Sequence, residues 1–349
     1  MNLYDSNTYI EDLEIAAKST VHIDKLKKQK ILVTGATGTI GSFIVDMLMH
    51  YNQTDNADIT IYASGRSKKR LANRFDPIKT EKLIYVEHDI CELISFDFSV
   101  DFMIHAAGNA HPEAFNCDPV GTIIGNISGT YNLLEYGRTR GTRRLLYVSS
   151  GEVYGQGDLS LDSFEENYGG YLEPTSPRSC YPGSKRAAET LCASYSKQYG
   201  LETVIVRPCH TYGPCLTTND SRANAQFIYN VLNDEDIVMK STGSQMRSYC
   251  YIADCASAIL TVLINGNSGE AYNSANSDAR ITIAGLAEVI AKTAGKKVIF
   301  VDPSATDIAK QTPIAKQVLD SKKIEKLGWN GRYNIDKGIF NTLAILKGK

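Results

Sequence analysis

The chain has 349 residues, 43% hydrophobic and 22% charged, with a formal net charge of -2. This suits a soluble protein with one large domain and a smaller lobe, and gives no basis for a nucleic-acid or polyanionic partner. No apolar run reaches the roughly 18 residues of a membrane helix. The eight cysteines form no Cys-x-x-Cys pair and no metal-ligand spacing with histidine, so they read as free thiols of a reducing cytoplasm, with no bound metal.

Residues 1–29 precede the first strand, and their acidic residues Asp5, Glu11, Asp12 and Glu14 do not suit a secretory signal. Ile10, Leu13, Ala16 and Ala17 fall at helical spacing, which predicts a short amphipathic helix against the outside of a sheet, or else a partner-binding one. From residue 30, β-branched runs at 31–34, 59–62, 83–86, 102–105, 144–149 and 203–207 alternate with helical stretches such as 42–50, 121–138 and 185–199. Such alternation predicts βαβ units and a Rossmann-type, doubly wound parallel sheet of the α/β class. After Pro208 the pattern breaks up. Residues 30–208 and 248–268 are expected in the sheet domain, and 209–247 and 269–349 in a smaller α/β lobe.

The first strand runs into Gly35-Ala-Thr37-Gly38-Thr39-Ile40-Gly41. Gly35 would make the turn, Gly38 would let backbone approach a pyrophosphate, and Gly41 would allow close helix–strand packing, with helix amides facing the phosphates. A dinucleotide is the expected ligand; a glycine-rich turn without one is the alternative. NAD enzymes usually place a carboxylate at the end of the second strand. Here the strand ends Ser64-Gly-Arg66-Ser67-Lys68-Lys69-Arg70. Ser64 and Arg66 have donors for a 2′-phosphate, which favours NADP(H) over NAD, unless these cations merely start the next helix. Asp89 and Ile90 are expected beside the adenine, and Ala106, Ala107 and Gly108 along the cofactor at a strand end.

Tyr181 and Lys185 lie four apart and so share one helix face. An ammonium beside a phenol favours the phenolate, so Tyr181 is expected to move protons near neutral pH. A serine-rich strand end, Ser149-Ser150-Gly151-Glu152, precedes this pair. Glu152 is a candidate acid–base group, or an exposed strand-end carboxylate.

Taken in order, Gly35-x-x-Gly38-x-x-Gly41, His105-Ala-Ala-Gly108, Asn126-x-x-Gly-Thr130, Ser149-Ser-Gly-Glu-Val-Tyr-Gly155, Tyr181-x-x-x-Lys185 and Arg207-Pro-x-His-Thr-Tyr-Gly-Pro214 resemble the extended short-chain dehydrogenase/reductase family. Its members are nucleotide-sugar epimerases, dehydratases and decarboxylases. Within it, Pro177-Arg-Ser-Cys-Tyr181, Asn219-Asp-x-Arg222 and Gly243-Ser-Gln-x-Arg247 are most similar to UDP-glucuronate decarboxylases. The resemblance implies that Ser150 binds the sugar hydroxyl being oxidised, Tyr181 takes its proton, and Lys185 binds the nicotinamide ribose. Glu152 would lie at C5, and Thr37, Thr39, Ile40, Asn126, Pro208 and His210 would line the cofactor. Asn109, Arg178, His210, Asn219, Arg222 and Arg247 would face a nucleoside-diphosphate sugar, with Arg222 and Arg247 suiting its diphosphate, or Arg247 alternatively a sugar carboxylate.

Three departures qualify the comparison. Gly151 stands where 4,6-dehydratases keep an acid and decarboxylases a serine. His210 replaces an asparagine, and reads as a satisfied neutral histidine or a catalytic acid. The carboxylate missing after the second strand does not suit an enzyme that retains and recycles NAD. Decarboxylation, NADPH-dependent reduction of a 4-keto-6-deoxy sugar and 4-epimerisation all stay open, as does an inactive dinucleotide sensor. Relatives usually pair through two helices per subunit, which predicts a homodimer formed by 126–138 and 185–199, with Leu133, Leu134, Ala188, Leu191 and Tyr195 as apolar faces.

Overall fold

The computed structural model describes residues 2–78, 80–217, 220–304 and 314–348. Its centre is a seven-stranded, wholly parallel sheet. Six strands come in chain order: β1 (Lys30–Thr34), β2 (Thr60–Gly65), β3 (Leu83–Glu87), β4 (Phe102–His105), β5 (Arg144–Val148) and β6 (Glu202–Pro208). Ile31, Leu32 and Val33 of β1 are fully buried, as a strand covered on both faces requires. The spatial order is β3-β2-β1-β4-β5-β6, so the winding reverses between β1 and β4. The crevice beyond those two C-terminal ends is where such sheets bind ligands.

Helices α2 (Thr39–Asp55), α3 (Lys68–Phe75), α4 (Pro112–Cys117), α5 (Pro119–Arg140) and α6 (Cys180–Tyr199) fill the crossovers. Asp118 caps the start of α5, its Oδ1 accepting from Gly121 N at 2.9 Å. Glycines in left-handed conformation, Gly141 (φ 73°) and Gly200 (φ 71°), close α5 and α6.

The smaller lobe begins with β7 (His210–Tyr212), α7 (Ala223–Leu232), β8 (Ile237–Met239) and β9 (Met246–Tyr251). It continues through β11 (Arg280–Thr282), α9 (Ile283–Ala294), β12 (Val298–Phe300) and β13 (Lys316–Gln317). Strand β9 pairs with β7, β11 and β13. One strand departs from the sequence-based expectation. The segment β10 (Ala271–Ser274), expected in the lobe, lies parallel to β6 at the edge of the large sheet. Helix α8 (Ile252–Asn265) packs on β5 and β6 as its crossover, and Gly269 (φ 83°) turns the chain back, its N–H bonding Thr203 O at 2.6 Å.

The N-terminal segment forms α1 (Asn7–Ser19), packed on α2 and α8. It buries Leu13, Ala16 and Ala17 of the predicted stripe, but Tyr9 is buried where Ile10 was expected, Ile10 stays half-buried, and the face meets helices rather than the sheet itself. It also buries Asp12, which accepts hydrogen bonds from Tyr251, Tyr333 and Asn341.

Candidate functional site

The glycine loop fits between the ends of β1, β2 and β4. Ala36 N donates to Ser64 O at 3.1 Å. A Cβ at Gly35 would stand 2.6 Å from Ala106 O, and one at Gly41 2.3 Å from Gly35 O. Both positions therefore demand glycine. Thr37, Thr39 and Ile40 are half-buried, the last two in the first turn of α2. At the end of β2, Ser64 is buried and Arg66 is exposed, with no hydrogen bond or ion pair to a described residue. Ser67 Oγ is used as the cap of α3.

Asp89 and Ile90 are less free than their spacing implied. Asp89 Oδ1 accepts Cys91 N at 3.0 Å. Ile90 packs against Gly129 of α5, and its carbonyl accepts Asn132 Nδ2 at 2.9 Å. Ala106 and Ala107 follow β4 half-buried, and Gly108 is exposed. Asn126 donates to Ser184 Oγ at 2.9 Å, while its Oδ1 is buried without a partner among the described residues. Asn109 Nδ2 reaches Thr122 Oγ1 at 3.4 Å. A glycine cradle at the winding reversal, a helix N-terminus and an orphaned acceptor on Asn126 together fit a dinucleotide.

Beyond β5, the Ser150 hydroxyl accepts Glu152 N at 3.1 Å and starts the 3₁₀ turn Gly151–Tyr154. A side chain at Gly151 would begin 3.2 Å from Leu319 Cδ1 and 3.4 Å from Pro208 O, so it would need the Leu319 side chain to yield by a few tenths of an ångström. Tyr181 and Lys185 occupy the first turns of α6, both 5% exposed. Burial and then Glu152 push the Tyr181 phenol up to about 12, against a hydrogen bond from Ser150 and the charges of Arg222 and Arg178. This corrects the expectation that Lys185 lowers it. The Lys185 ammonium donates to Val148 O at 2.8 Å and stands 5.8 Å from the Tyr181 ring centre, and its own burial lowers it to about 8.

Arg178 faces Glu152, with Nη2 2.9 Å from Oε2 and 3.2 Å from Oε1. Arg222 is gripped by Asp220, through Nε to Oδ1 at 2.9 Å and Nη2 to Oδ2 at 2.5 Å. Arg247, 3% exposed, spends Nη1 on Met246 O and Nη2 on Ile314 O. Burial, with Arg247 and Arg222 nearby, pushes His210 down to about 3. It is therefore neutral, not an acid, and its Nδ1 is buried without a partner among the described residues. Asn219 lies outside the described residues.

Two contributors have no motif to announce them. Phe115 of α4 stacks on Tyr181 with ring centres 5.1 Å apart, and the Arg178 guanidinium lies 4.5 Å above its other neighbour, the Phe115 ring centre. Ser184 joins Asn126 to the carbonyls of Cys180 and Tyr181, tying α5 to the start of α6. Its position three residues after Tyr181 was the available signal.

Residues 31–275 match the NAD dependent epimerase/dehydratase family. The chain belongs to that family. UDP-glucuronic acid decarboxylase 3 of Arabidopsis thaliana is 32% identical over 312 residues, 89% of this chain and 86% of the relative. UDP-glucuronic acid decarboxylase 1 of Xenopus tropicalis is 31% identical over 326 residues, 92% and 72% of the two chains. Among solved structures, a dTDP-glucose 4,6-dehydratase from Streptomyces venezuelae with NAD bound superposes with a TM-score of 0.76 at 25% identity, covering 92% of this chain and 97% of that one. The UDP-glucose 4-epimerase of Thermotoga maritima gives 0.76 at 22% identity, over 91% and 99%, a likeness of fold alone. This family member accordingly binds a nicotinamide dinucleotide and works as an enzyme.

Proposed function

We propose that this family member is a UDP-glucuronate decarboxylase-like enzyme, acting at C4 of a nucleoside-diphosphate sugar that carries a C5 carboxylate. The observation that carries the reading is the meeting of Ser150 and Glu152, both half-buried, with the buried Tyr181, and with three arginines nearby. Ser150 holds the C4 hydroxyl, and Tyr181 takes its proton. The glycine loop would hold the pyrophosphate of a nicotinamide dinucleotide, which would supply hydride acceptance and return at C4. Lys185 would hold its nicotinamide ribose, and Asn126 would line it. Oxidation makes the C5 carboxylate a β-keto acid, so its bond to C5 can break with the electrons drawn into the C4 carbonyl, and C5 then takes a proton before hydride returns to C4. Arg222 and Arg247 suit the diphosphate, once their present partners yield. The glycine at position 151 weighs against a dehydratase that needs an acid there.

Incubation with UDP-glucuronate and oxidised cofactor tests this: carbon dioxide and a UDP-pentose are expected, and neither product would remove the reading. A second reading rests on the end of β2, where Arg66, unpaired among the described residues, stands in place of a carboxylate. It makes NADP(H) the preferred cofactor and the protein a reductase of a 4-keto-6-deoxy nucleotide sugar. Loss of NADPH absorbance only with a keto sugar would select it. Thermal shifts with NAD⁺ and NADP⁺ separate the cofactors, and Arg66→Ala should weaken NADP⁺ about tenfold while sparing NAD⁺.

A further inference from the structure

We propose that Arg178 is the specificity-determining residue that admits a carboxylated sugar, by bridging Glu152 and the sugar carboxylate. This rests on the decarboxylase reading above. A C5 carboxylate is carried on the carbon next to C4, so a sugar whose C4 hydroxyl meets Ser150 and Tyr181 brings its carboxylate close to Glu152. Two carboxylates in a partly buried site repel each other, and a cation between them removes that repulsion. A sugar with a neutral C5 substituent creates no such conflict.

Three guanidinium groups neighbour this point, and they differ in what they have left to give. Arg222 commits Nε and Nη2 to Asp220. Arg247 commits Nη1 and Nη2 to main-chain carbonyls. Arg178 commits only Nη2, to Glu152, so Nε and Nη1 have no hydrogen bond to any described residue. The Arg178 and Glu152 side chains keep 33% and 22% exposure, so the pair lies at the open side of the site while Tyr181 lies deep. The guanidinium plane rests on Phe115, which itself stacks on Tyr181. Arg178 is thus placed relative to the proton-transfer phenol by one intervening ring, with Nε and Nη1 left to receive a carboxylate.

The test uses the full-length protein carrying Tyr181→Phe, which binds without turnover, with and without Arg178→Gln. Calorimetric titration with UDP-glucuronate and UDP-glucose in the presence of oxidised cofactor gives four dissociation constants. Arg178→Gln should weaken UDP-glucuronate at least about tenfold, and leave UDP-glucose within about twofold. Arg178→Lys, which restores the charge, should recover part of the loss. Equal weakening of both ligands, or of neither, overturns the inference. Unchanged UDP-glucose binding shows that the variant is folded. If the parent releases carbon dioxide from UDP-glucuronate yet Arg178→Gln does not discriminate, this inference alone fails. If the parent neither binds nor turns over UDP-glucuronate, the proposed function fails and takes this inference with it.

Discussion

Burial decides the ionisation of several key side chains, and it does so against their nearest neighbours. Tyr181 has a lysine one turn away, but loss of water around its phenolate outweighs every favourable charge. Its role in the proposed chemistry is therefore proton transfer in a closed site. Tyr181→Phe should lower kcat by about 10²- to 10⁴-fold while the melting temperature stays within about 1 °C, because only the hydroxyl is lost. Steady-state kinetics and calorimetry check both halves. His210 gives a prediction of a different kind. Its ordinary value is 6.5 and the fold holds it near 3, so between those values the unfolded chain binds a proton that the native protein does not. Its contribution to stability is full above pH 6.5 and declines as pH falls toward 3. Asp254, raised by burial to about 6, works the other way, so parent and variant must be compared. In urea melts at pH 7 and pH 5, His210→Asn should lose less stability on acidification than the parent. An equal loss would mean that this ring takes up its proton in the native state.

Elements show the same contrast between local and distant effects. Helix α1 adds to the fold through one buried carboxylate as much as through its apolar stripe. Asp12 accepts from the hydroxyls of Tyr251 and Tyr333 and from Asn341 Nδ2, which belong to β9, the segment before the last helix α10 (Ile335–Leu346), and α10 itself. Asp12→Ala leaves three buried donors without an acceptor, each costing about 1–3 kcal/mol, so a loss of at least about 3 kcal/mol is expected in urea unfolding. Asp12→Asn retains one acceptor oxygen and should lose less. The apolar half of this arrangement was legible in the sequence, because Leu13, Ala16 and Ala17 follow the helical period. The carboxylate was not, since its partners lie more than 200 residues away. The same rule governs the rest. Strands β1 to β6 announced themselves through β-branched runs, and the cofactor loop through glycines whose Cβ positions are occupied by backbone. Strand β10 carries only Ala-Tyr-Asn-Ser, too short and mixed a pattern to separate from the lobe that follows it. In the site, Tyr181 and Lys185 were singled out by local spacing, and Ser150 by the family resemblance. The Arg178–Glu152 pair and the Phe115 stack join residues 26 and 66 positions apart, and no period encodes them.

At the scale of the whole molecule, we propose that the homodimer expected from the sequence forms on what α5 leaves uncovered. The sequence-based expectation assigned the contact face to Leu133, Leu134, Ala188, Leu191 and Tyr195. Four of these are buried within the chain itself: Leu133, Leu134, Ala188 and Tyr195 pack where α5 and α6 meet the sheet. The other side of α5 is apolar and exposed, with Val120 at 70%, Ile124 at 47% and Tyr131 at 47%. Their spacings of four and seven put them on one stripe, and Tyr199 at the end of α6 adds to it at 49%. An exposed apolar face of this kind, beside a second packed helix, is a candidate surface for a two-fold copy of the chain. The proposed homodimer should therefore run at twice the 38.4 kDa chain mass in light scattering at micromolar concentration. Ile124→Glu places a charge at the centre of the stripe, where it would be desolvated beside its symmetry mate. The variant should run at a single chain mass with an unchanged far-ultraviolet dichroism spectrum. Because α5 carries Asn126 and α6 carries Tyr181 and Lys185, a dimer formed through these helices stiffens the site from behind. The Ile124→Glu monomer should then bind cofactor more weakly than the parent, and equal affinity would show that each chain holds its own site unaided.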